Sequence, residues 1–174
     1  MAVSSLVSSA APSGPLAWTV LSRVSASGTS VSFTGLSGYK SYRLLAQGLK
    51  TGTAGTDAFR IRPNGDSSSI YSTFGLGTSN GAATVYQTNN DNGIWGGTYN
   101  LAVDIGIHFD CTIQAADQAT MKIANTNFYN NTGTATYYEM TTNVLLGVMT
   151  SISVAMSTGS NSFTAGTLTL LGGN

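Results

Sequence analysis

Three side chains between residues 104 and 110 are of types that bind metal ions. Asp104, His108 and Asp110 fall on even positions of a run whose odd positions are apolar. Alternate side chains of a strand lie about 6.5–7 Å apart, so Asp104 and His108 would be about 13 Å apart. Only His108 and Asp110 could approach one ion, and two protein ligands are too few for a site. The sequence therefore predicts a solvated polar face and no metal site.

The residue patterns of common enzymes are not found in the sequence. Cys111 occupies an apolar position with no histidine on its face, so it is predicted to be a small buried side chain rather than a nucleophile. Gly75-Leu76-Gly77 is an isolated Gly-x-Gly without a strand–helix frame. A glycosidase pair is conceivable among the carboxylates, but spacing selects none of Asp57, Asp66, Asp91 and Glu139. We expect no catalysis and no cofactor.

Two other groups of side chains suggest contacts with partners or within the chain. Trp95 lies in a Gly/Asn-rich stretch, residues 89–97, which we interpret as a loop, and Tyr99 follows it. An aromatic ring in such a loop could be a sugar platform or an interface anchor, or it could pin the loop to the domain. Arg60 and Arg62 share a polar parity near Asp57 and Asp66, which predicts a surface ion cluster.

Composition restricts the class of protein. The chain has 174 residues, with seven Lys and Arg against seven Asp and Glu. Zero net charge argues against a nucleic-acid binder, and one cysteine excludes a disulfide framework within the chain. No apolar run approaches the roughly 18 residues of a membrane-spanning helix. The first positive charge, Arg23, comes too late for a signal peptide.

The same composition favours an all-β fold. Ser and Thr number 22 and 24, Gly adds 21, and periodic runs of strong helix formers are absent. Gly, Ser, Thr and Asn supply turns, whereas Thr, Val, Tyr and Ile suit a pleated sheet. Residues 1–15 are uncharged, with Leu6 and Val7 as the larger aliphatics and Pro12 and Pro15 near the end. They predict a flexible N-terminal arm, and residues 16–174 a single β-sandwich domain.

Apolar and polar residues alternate along most of that domain. The pattern predicts eight to ten strands, with the clearest over residues 99–113, where apolar residues occupy the odd positions. Other predicted core faces contain Trp18, Val20 and Val24; Val31 and Phe33; Tyr42, Leu44 and Ala46; Phe59 and Ile61; Met121 and Ile123; Tyr138, Met140, Val144, Leu146 and Val148; and Ile152, Val154 and Met156. A turn is predicted at Pro63-Asn64-Gly65-Asp66, and a last strand near Phe163 to Leu171. This number of strands predicts a two-sheet antiparallel sandwich, jelly-roll-like in topology.

Three segments together resemble a known family. They are Phe33-Thr34-Gly35-Leu36-Ser37-Gly38-Tyr39-Lys40-Ser41-Tyr42-Arg43-Leu44, then Phe59-Arg60-Ile61-Arg62-Pro63-Asn64-Gly65-Asp66 leading to Tyr71, then Phe163-Thr164-Ala165-Gly166-Thr167-Leu168-Thr169-Leu170-Leu171-Gly172. In this order they resemble small β-sandwich virion proteins of tailed bacteriophages. Members include capsid decoration (cement) proteins and tail- or head-fibre domains. The segments cover about a third of the chain, and Leu171 stands where the family usually has tyrosine.

The resemblance implies a jelly-roll-like structural protein without catalysis, made in the bacterial host cytoplasm and placed on the capsid surface of the virion. Its expected partners are the major capsid protein and two further copies of the chain in a homotrimer. The arm, with Leu6, Val7, Pro12 and Pro15, is the expected capsid or subunit contact. The alternative is a receptor- or glycan-binding fibre module that uses Trp95 and Tyr99. Neither alternative involves nucleic acid or a membrane.

Overall fold

The computed structural model describes residues 17–52, 55–79, 82–101, 106–131, 135–156 and 161–174. These ranges contain twelve strands, more than the eight to ten predicted, and no helix, so the all-β class is confirmed. No helix within them is long and apolar enough to cross a membrane. The strands are β1 (Thr19–Ser25), β2 (Ser30–Thr34), β3 (Ser41–Thr51), β4 (Gly55–Pro63), β5 (Tyr71–Ser79), β6 (Ala82–Asp91), β7 (Ile94–Leu101), β8 (Ile107–Ile113), β9 (Thr120–Asn131), β10 (Ala135–Leu146), β11 (Ser151–Met156) and β12 (Phe163–Gly173).

The strands form two antiparallel sheets, which confirms the predicted sandwich. The large sheet has the order β1-β12-β3-β8-β9-β10-β5-β6, and the small sheet has the order β2-β11-β4-β7. Two hairpins, β5–β6 and β9–β10, are adjacent in the large sheet and form one end of it. We call these four strands the wing. The remaining strands are divided four and four between the two sheets and alternate between them along the chain, except that β4 and β7 both belong to the small sheet.

Alternating apolar residues build the core between the sheets. Phe33, Tyr42, Leu44, Ile61, Ile152 and Val154 are all buried, as their parity predicts. The rings of Phe59 in the small sheet and Phe163 in the large sheet stack with centroids 5.6 Å apart. The turn after β4 also forms as predicted: Asn64 and Gly65 have positive φ, and the Asp66 amide donates to the Pro63 carbonyl at 3.1 Å.

The predicted single strand over residues 99–113 is wrong. β7 ends at Leu101 in the small sheet, β8 begins at Ile107 in the large sheet, and Gly106 before it is outside any strand. The alternation itself is right within β8, where the buried side chains are Ile107, Phe109, Cys111 and Ile113. Both sheets bury one face in the same core, so apolar parity does not reveal that the chain changes sheets. Asp104 lies outside the described residues.

A β-bulge breaks the predicted face of β1. The pairing of β1 with β12 shifts register between Val20 and Ser22. Because an extra residue reverses the alternation, Val20 points outward and is 62% exposed, which contradicts its assignment to the core. Trp18 is half-buried and packs against Gly173, where an added Cβ would lie 3.0 Å from the indole ring.

The predicted core face of β9 is also inverted. Met121 and Ile123 are 53% and 40% exposed. Lys122, which lies between them, and Ala124, which follows them, are fully buried. Parity indicates the wrong face here because the two large apolar residues, Met121 and Ile123, are the exposed ones and the lysine between them is buried. On β10, Met140 and Val144 are buried as predicted, while Val148 lies past the strand and is 48% exposed.

Candidate functional site

The wing exposes an apolar patch on the outer face of the large sheet. Its members, which we call the docking patch, are Met121, Ile123 and Leu145 (70% exposed) on the wing, with Ile70 (42%) just before β5 and Val148 just after β10. Leu145 and Met121 are directly paired across β10 and β9, and Ile123 is the next outward residue on β9. Exposed apolar patches commonly mark sites of protein contact.

Lys122 holds the base of the β9–β10 hairpin beside this patch. Its ammonium group donates to the carbonyls of Thr120 at 3.1 Å and Leu146 at 3.4 Å, and also to the carbonyl of Gln118. Burial lowers the pKa of Lys122, and nearby Asp117 opposes that shift. These carbonyls compensate for the loss of water around the charge, so the hairpin end that presents Met121 and Leu145 is fixed.

A shallow depression of about 290 Å³ lies on the same outer face, across β6, β5 and β10. Its outward-facing lining consists of Ser72, Phe74, Gln87, Asn89, Thr141 and Asn143. Register explains their convergence: Phe74 pairs with Thr141 on one side and with Gln87 on the other, and Ser72 pairs with Asn143. Phe74 is 52% exposed, and none of these six side chains carries a charge.

A β-bulge shapes one wall of the depression. Tyr71 pairs with Asp91 and Thr73 pairs with Thr88, so Asn89 and Asn90 of β6 stand opposite the single residue Ser72. Bulges re-aim side chains and are enriched beside functional sites. The extra residue interrupts the alternation, so Asn89 and Asn90 are both exposed and Asp91 lies buried opposite Tyr71.

A buried ion pair anchors the chain where β6 turns into β7. The Arg60 Nε donates to Asp91 Oδ1 at 2.9 Å, and the two side chains are only 11% and 8% exposed. The same nitrogen lies 3.1 Å from Asn92 Oδ1, and the Tyr86 hydroxyl lies 3.4 Å from Asp91 Oδ2. Arg62 donates to the Asn92 carbonyl at 2.9 Å. The predicted surface cluster is therefore wrong for Arg60, which pairs with Asp91, a partner distant in sequence, and is buried.

Two opposite charges face each other on the outer face of the large sheet away from the wing. Arg43 on β3 and Asp110 on β8 form a two-pronged ion pair, with Arg43 Nε 2.9 Å from Asp110 Oδ1. The hydrogen bond to Asp110, more than any other effect, raises the pKa of Arg43. His108 is exposed on this face. Asp110 is thus engaged by a cation, which agrees with the predicted solvated polar face.

Cys111 is fully buried on the inner face of β8, as predicted. Desolvation raises the pKa of its thiol to about 12. A thiol is a good nucleophile only as the thiolate, so at neutral pH this group is inert.

The predicted binding residues fall on parts of the chain that the structure describes only in part. Leu6, Val7, Pro12 and Pro15 lie outside the described residues. Trp95 and Tyr99 belong to β7, where their backbones pair with Arg60 and Asp57. The interpretation of residues 89–97 as a loop is therefore wrong: β6 continues to Asp91 and β7 starts at Ile94. The side chains of Trp95 and Tyr99 lie outside the described part.

Sequence reasoning missed both the docking patch and the depression. The sequence gives one signal for the patch. Met121 and Ile123 are at odd positions of β9 and Ala124 and Phe128 at even positions, so both faces of this strand carry apolar residues and only one face can be in the core. The depression joins residues about 55 to 70 positions apart, such as Phe74 with Thr141 and Ser72 with Asn143, so no local pattern encodes it.

No protein-family model matches this chain, and no curated protein sequence matches it. The resemblance to phage virion proteins therefore stays a prediction that depends on the three segments quoted above.

Proposed function

We propose that this protein is a structural, non-catalytic component of a bacteriophage virion, a decoration protein that binds and stabilises the capsid surface. The assignment to a virion depends on the resemblance of the three sequence segments to phage proteins. The observation that carries the attachment is the docking patch, five exposed apolar side chains at one end of the wing. Glu139 is the nearest acidic residue on the outward face of β10, two residues beyond Thr141 and away from the patch. A neutral, apolar surface of this kind fits a protein partner.

The strand order supports the jelly-roll part of this proposal. Without the wing, the sheets are β1-β12-β3-β8 and β2-β11-β4-β7, and successive strands cross from one sheet to the other except β4 and β7, which pair within the small sheet. Eight strands in two four-stranded sheets are the arrangement of jelly rolls, which occur in viral capsid proteins and lectins. On this assignment the wing is an addition of two hairpins to the side of the β1-β12-β3-β8 sheet.

The size of the docking patch supports attachment through several copies. Burying a Leu, Ile, Val or Met side chain completely contributes about 1.5–3 kcal/mol. The five side chains are roughly half exposed, so covering all of them contributes about 5 kcal/mol. Association itself costs about 4–15 kcal/mol, so one patch alone binds weakly. A trimer would present three patches at once, and the arms at residues 1–15 would add further contacts.

Binding to undecorated capsids tests the attachment surface. We expect Leu145→Ser to weaken binding about fivefold to tenfold, because Leu145 is the most exposed member of the patch. Val85→Ser is the matched control, since Val85 is 65% exposed on the same face but lies on β6, outside the patch. Co-sedimentation with capsids measures both. Equal capsid affinities for the two variants would show that the docking patch is not part of the interface.

Removal of the arm tests its predicted role. Deleting residues 1–15 is expected to leave the sandwich folded and to weaken trimer or capsid attachment. Since the segment has no charge, attachment should change little with salt. Unchanged affinity after the deletion would exclude the arm, and loss of binding in moderate salt would exclude an apolar mechanism.

Copy number separates this proposal from the fibre alternative. A decoration protein co-purifies with capsids in stoichiometric amounts, in hundreds of copies per particle, whereas a fibre module is present in few copies. Light scattering at micromolar concentration measures the mass of the protein in solution, where we expect a trimer. A monomeric mass in solution, together with single rather than grouped copies on the capsid, would contradict the trimer.

A further inference from the structure

The depression on the wing has the composition of a site for an uncharged, hydroxyl-rich ligand. Phe74 presents an aromatic ring that is half exposed. Around it stand the amides of Gln87, Asn89 and Asn143 and the hydroxyls of Ser72 and Thr141. Within the described residues, the three amides make no hydrogen bond to the protein, so their donors and acceptors face solvent.

Each of these features matches one property of a sugar ring. One face of a hexose consists of C–H groups, which pack on an aromatic ring that has an apolar body. Each hydroxyl of a sugar both donates and accepts, and a side-chain amide offers two donors and one acceptor on adjacent atoms. A ring stacked on Phe74 would have Gln87 and Asn89 along one edge and Asn143 along the other, since Phe74 lies between β6 and β10.

Charge and size narrow the ligand class. None of the six lining residues is charged, so the site offers nothing to neutralise a sialic acid, a uronic acid or a sulfate. A volume of about 290 Å³ is at the small end of ligand pockets, enough for about one or two rings.

The wall formed by the bulge is held in place before any ligand arrives. Asp91, at the end of the bulge, is fixed by Arg60 at 2.9 Å. Tyr71, its partner across the strands, is fully buried and donates from its hydroxyl to the Asp66 carbonyl at 2.9 Å. Burial raises the pKa of Tyr71, so this hydroxyl stays a donor. A preorganised site loses less entropy when it binds.

We propose that this depression is a binding site for a neutral sugar, with Phe74 as the stacking surface and Gln87, Asn89 and Asn143 as the hydroxyl-recognising groups. The site borders the docking patch, because Asn143 pairs directly with Ile123, and it lies on the large sheet, whereas Trp95 and Tyr99 belong to a strand of the small sheet. We expect one copy to bind weakly, with a Kd of about 1 mM.

Saturation-transfer NMR on the full-length protein tests the proposal. The probes are the methyl glycosides of glucose, galactose, mannose, N-acetylglucosamine and N-acetylgalactosamine, each at about 10 mM, above the expected Kd. At least one probe should receive saturation from the wild-type protein. Phe74→Ala should abolish the transfer, Phe74→Tyr should retain it, and Asn143→Ala should weaken binding about fivefold, as expected for a lost hydrogen bond.

Leu76→Ala is the matched control. Leu76 lies two residues from Phe74 on the same face of β5 and is 55% exposed against 52%, but it does not line the depression. It should bind the sugar as the wild type does, and circular dichroism verifies that each variant is folded. The proposal is overturned if no probe receives saturation, if Phe74→Ala retains it, or if Leu76→Ala loses it equally. Capsid attachment is tested at Leu145, so either proposal can fail without the other.

Discussion

Two ion pairs among the described residues predict unequal responses to the same mutation. Asp91 and Asp110 each pair with an arginine through a hydrogen bond of 2.9 Å from Nε. The Arg60–Asp91 side chains are 11% and 8% exposed, whereas those of Arg43 and Asp110 are 36% and 32% exposed. Arg43 makes a second hydrogen bond to its partner, so a larger cost at Asp91 would come from the difference in access of water and not from the number of bonds.

Burial sets the expected cost of each truncation. Asp91→Ala leaves the Arg60 guanidinium in the interior with the Phe59 carbonyl and Asn92 Oδ1 as remaining acceptors. An uncompensated buried charge costs about 3–5 kcal/mol. Asp110→Ala leaves Arg43 free to turn into water, so it should cost about 0–1 kcal/mol. High salt should reduce the smaller cost and leave the larger one nearly unchanged.

Urea unfolding followed by tryptophan fluorescence measures both variants. A third variant, Arg60→Met with Asp91→Leu, removes both charges and should recover most of the loss, because two apolar side chains of similar volume need no counter-charge. If Asp91→Ala and Asp110→Ala lowered the free energy of unfolding equally, or if the double variant were as unstable as Asp91→Ala, burial would not govern these pairs.

Three further perturbations test the core. Cys111→Ser should cost about 1–3 kcal/mol, because it buries a polar hydroxyl in place of the thiol; native Cys111 should react slowly with bulky thiol reagents, and fast labelling would contradict its burial. Burial raises the pKa of Cys111 from the ordinary value of 9.0 to about 12, so the contribution of the thiol to stability is complete below pH 9.0 and is lost as pH rises toward 12. Urea melts at several pH values measure this decline, which Cys111→Ala should reduce. Ile107→Ala should cost about 2–5 kcal/mol and His108→Ala almost nothing, and the reverse ranking in denaturant melts would shift the register of β8 by one residue. Gly166→Ala should unfold the protein at a lower temperature by calorimetry, since φ is +108° and an added Cβ would lie 2.6 Å from Leu49 Cα; an unchanged melting temperature would refute that close approach.

The sequence predicted which face of a strand is buried better than it predicted which strands pair with each other. Residues of β8 and β11 alternate cleanly, and their apolar members are buried as expected. Parity is a property of one strand, so it cannot say that residues 99–101 and 107–113 belong to different sheets. It also fails where a side chain breaks its usual preference, as Lys122 does by entering the interior toward three carbonyls.

The candidate site depends on information that a single strand does not contain. Phe74, Gln87 and Asn143 meet only because β5 lies between β6 and β10, and Asn89 follows Gln87 on the same face of β6. Trp95 stands out in a polar stretch of the sequence, whereas Phe74 lies between Thr73 and Gly75 without any distinguishing pattern. Strand pairing, rather than residue type, therefore defines the site.

The position of β12 has a consequence for the order in which the large sheet closes. β12 inserts between β1 and β3, and within the described residues it is the one strand with which β1 pairs. β1 therefore joins the sheet only after β12, which is distant from it along the chain, has docked on β3. Until then β3 presents an open strand edge that can pair with another chain. Opening of β12 in the folded protein would free the same edge, which makes this strand the place where an exchange of segments between two copies would begin.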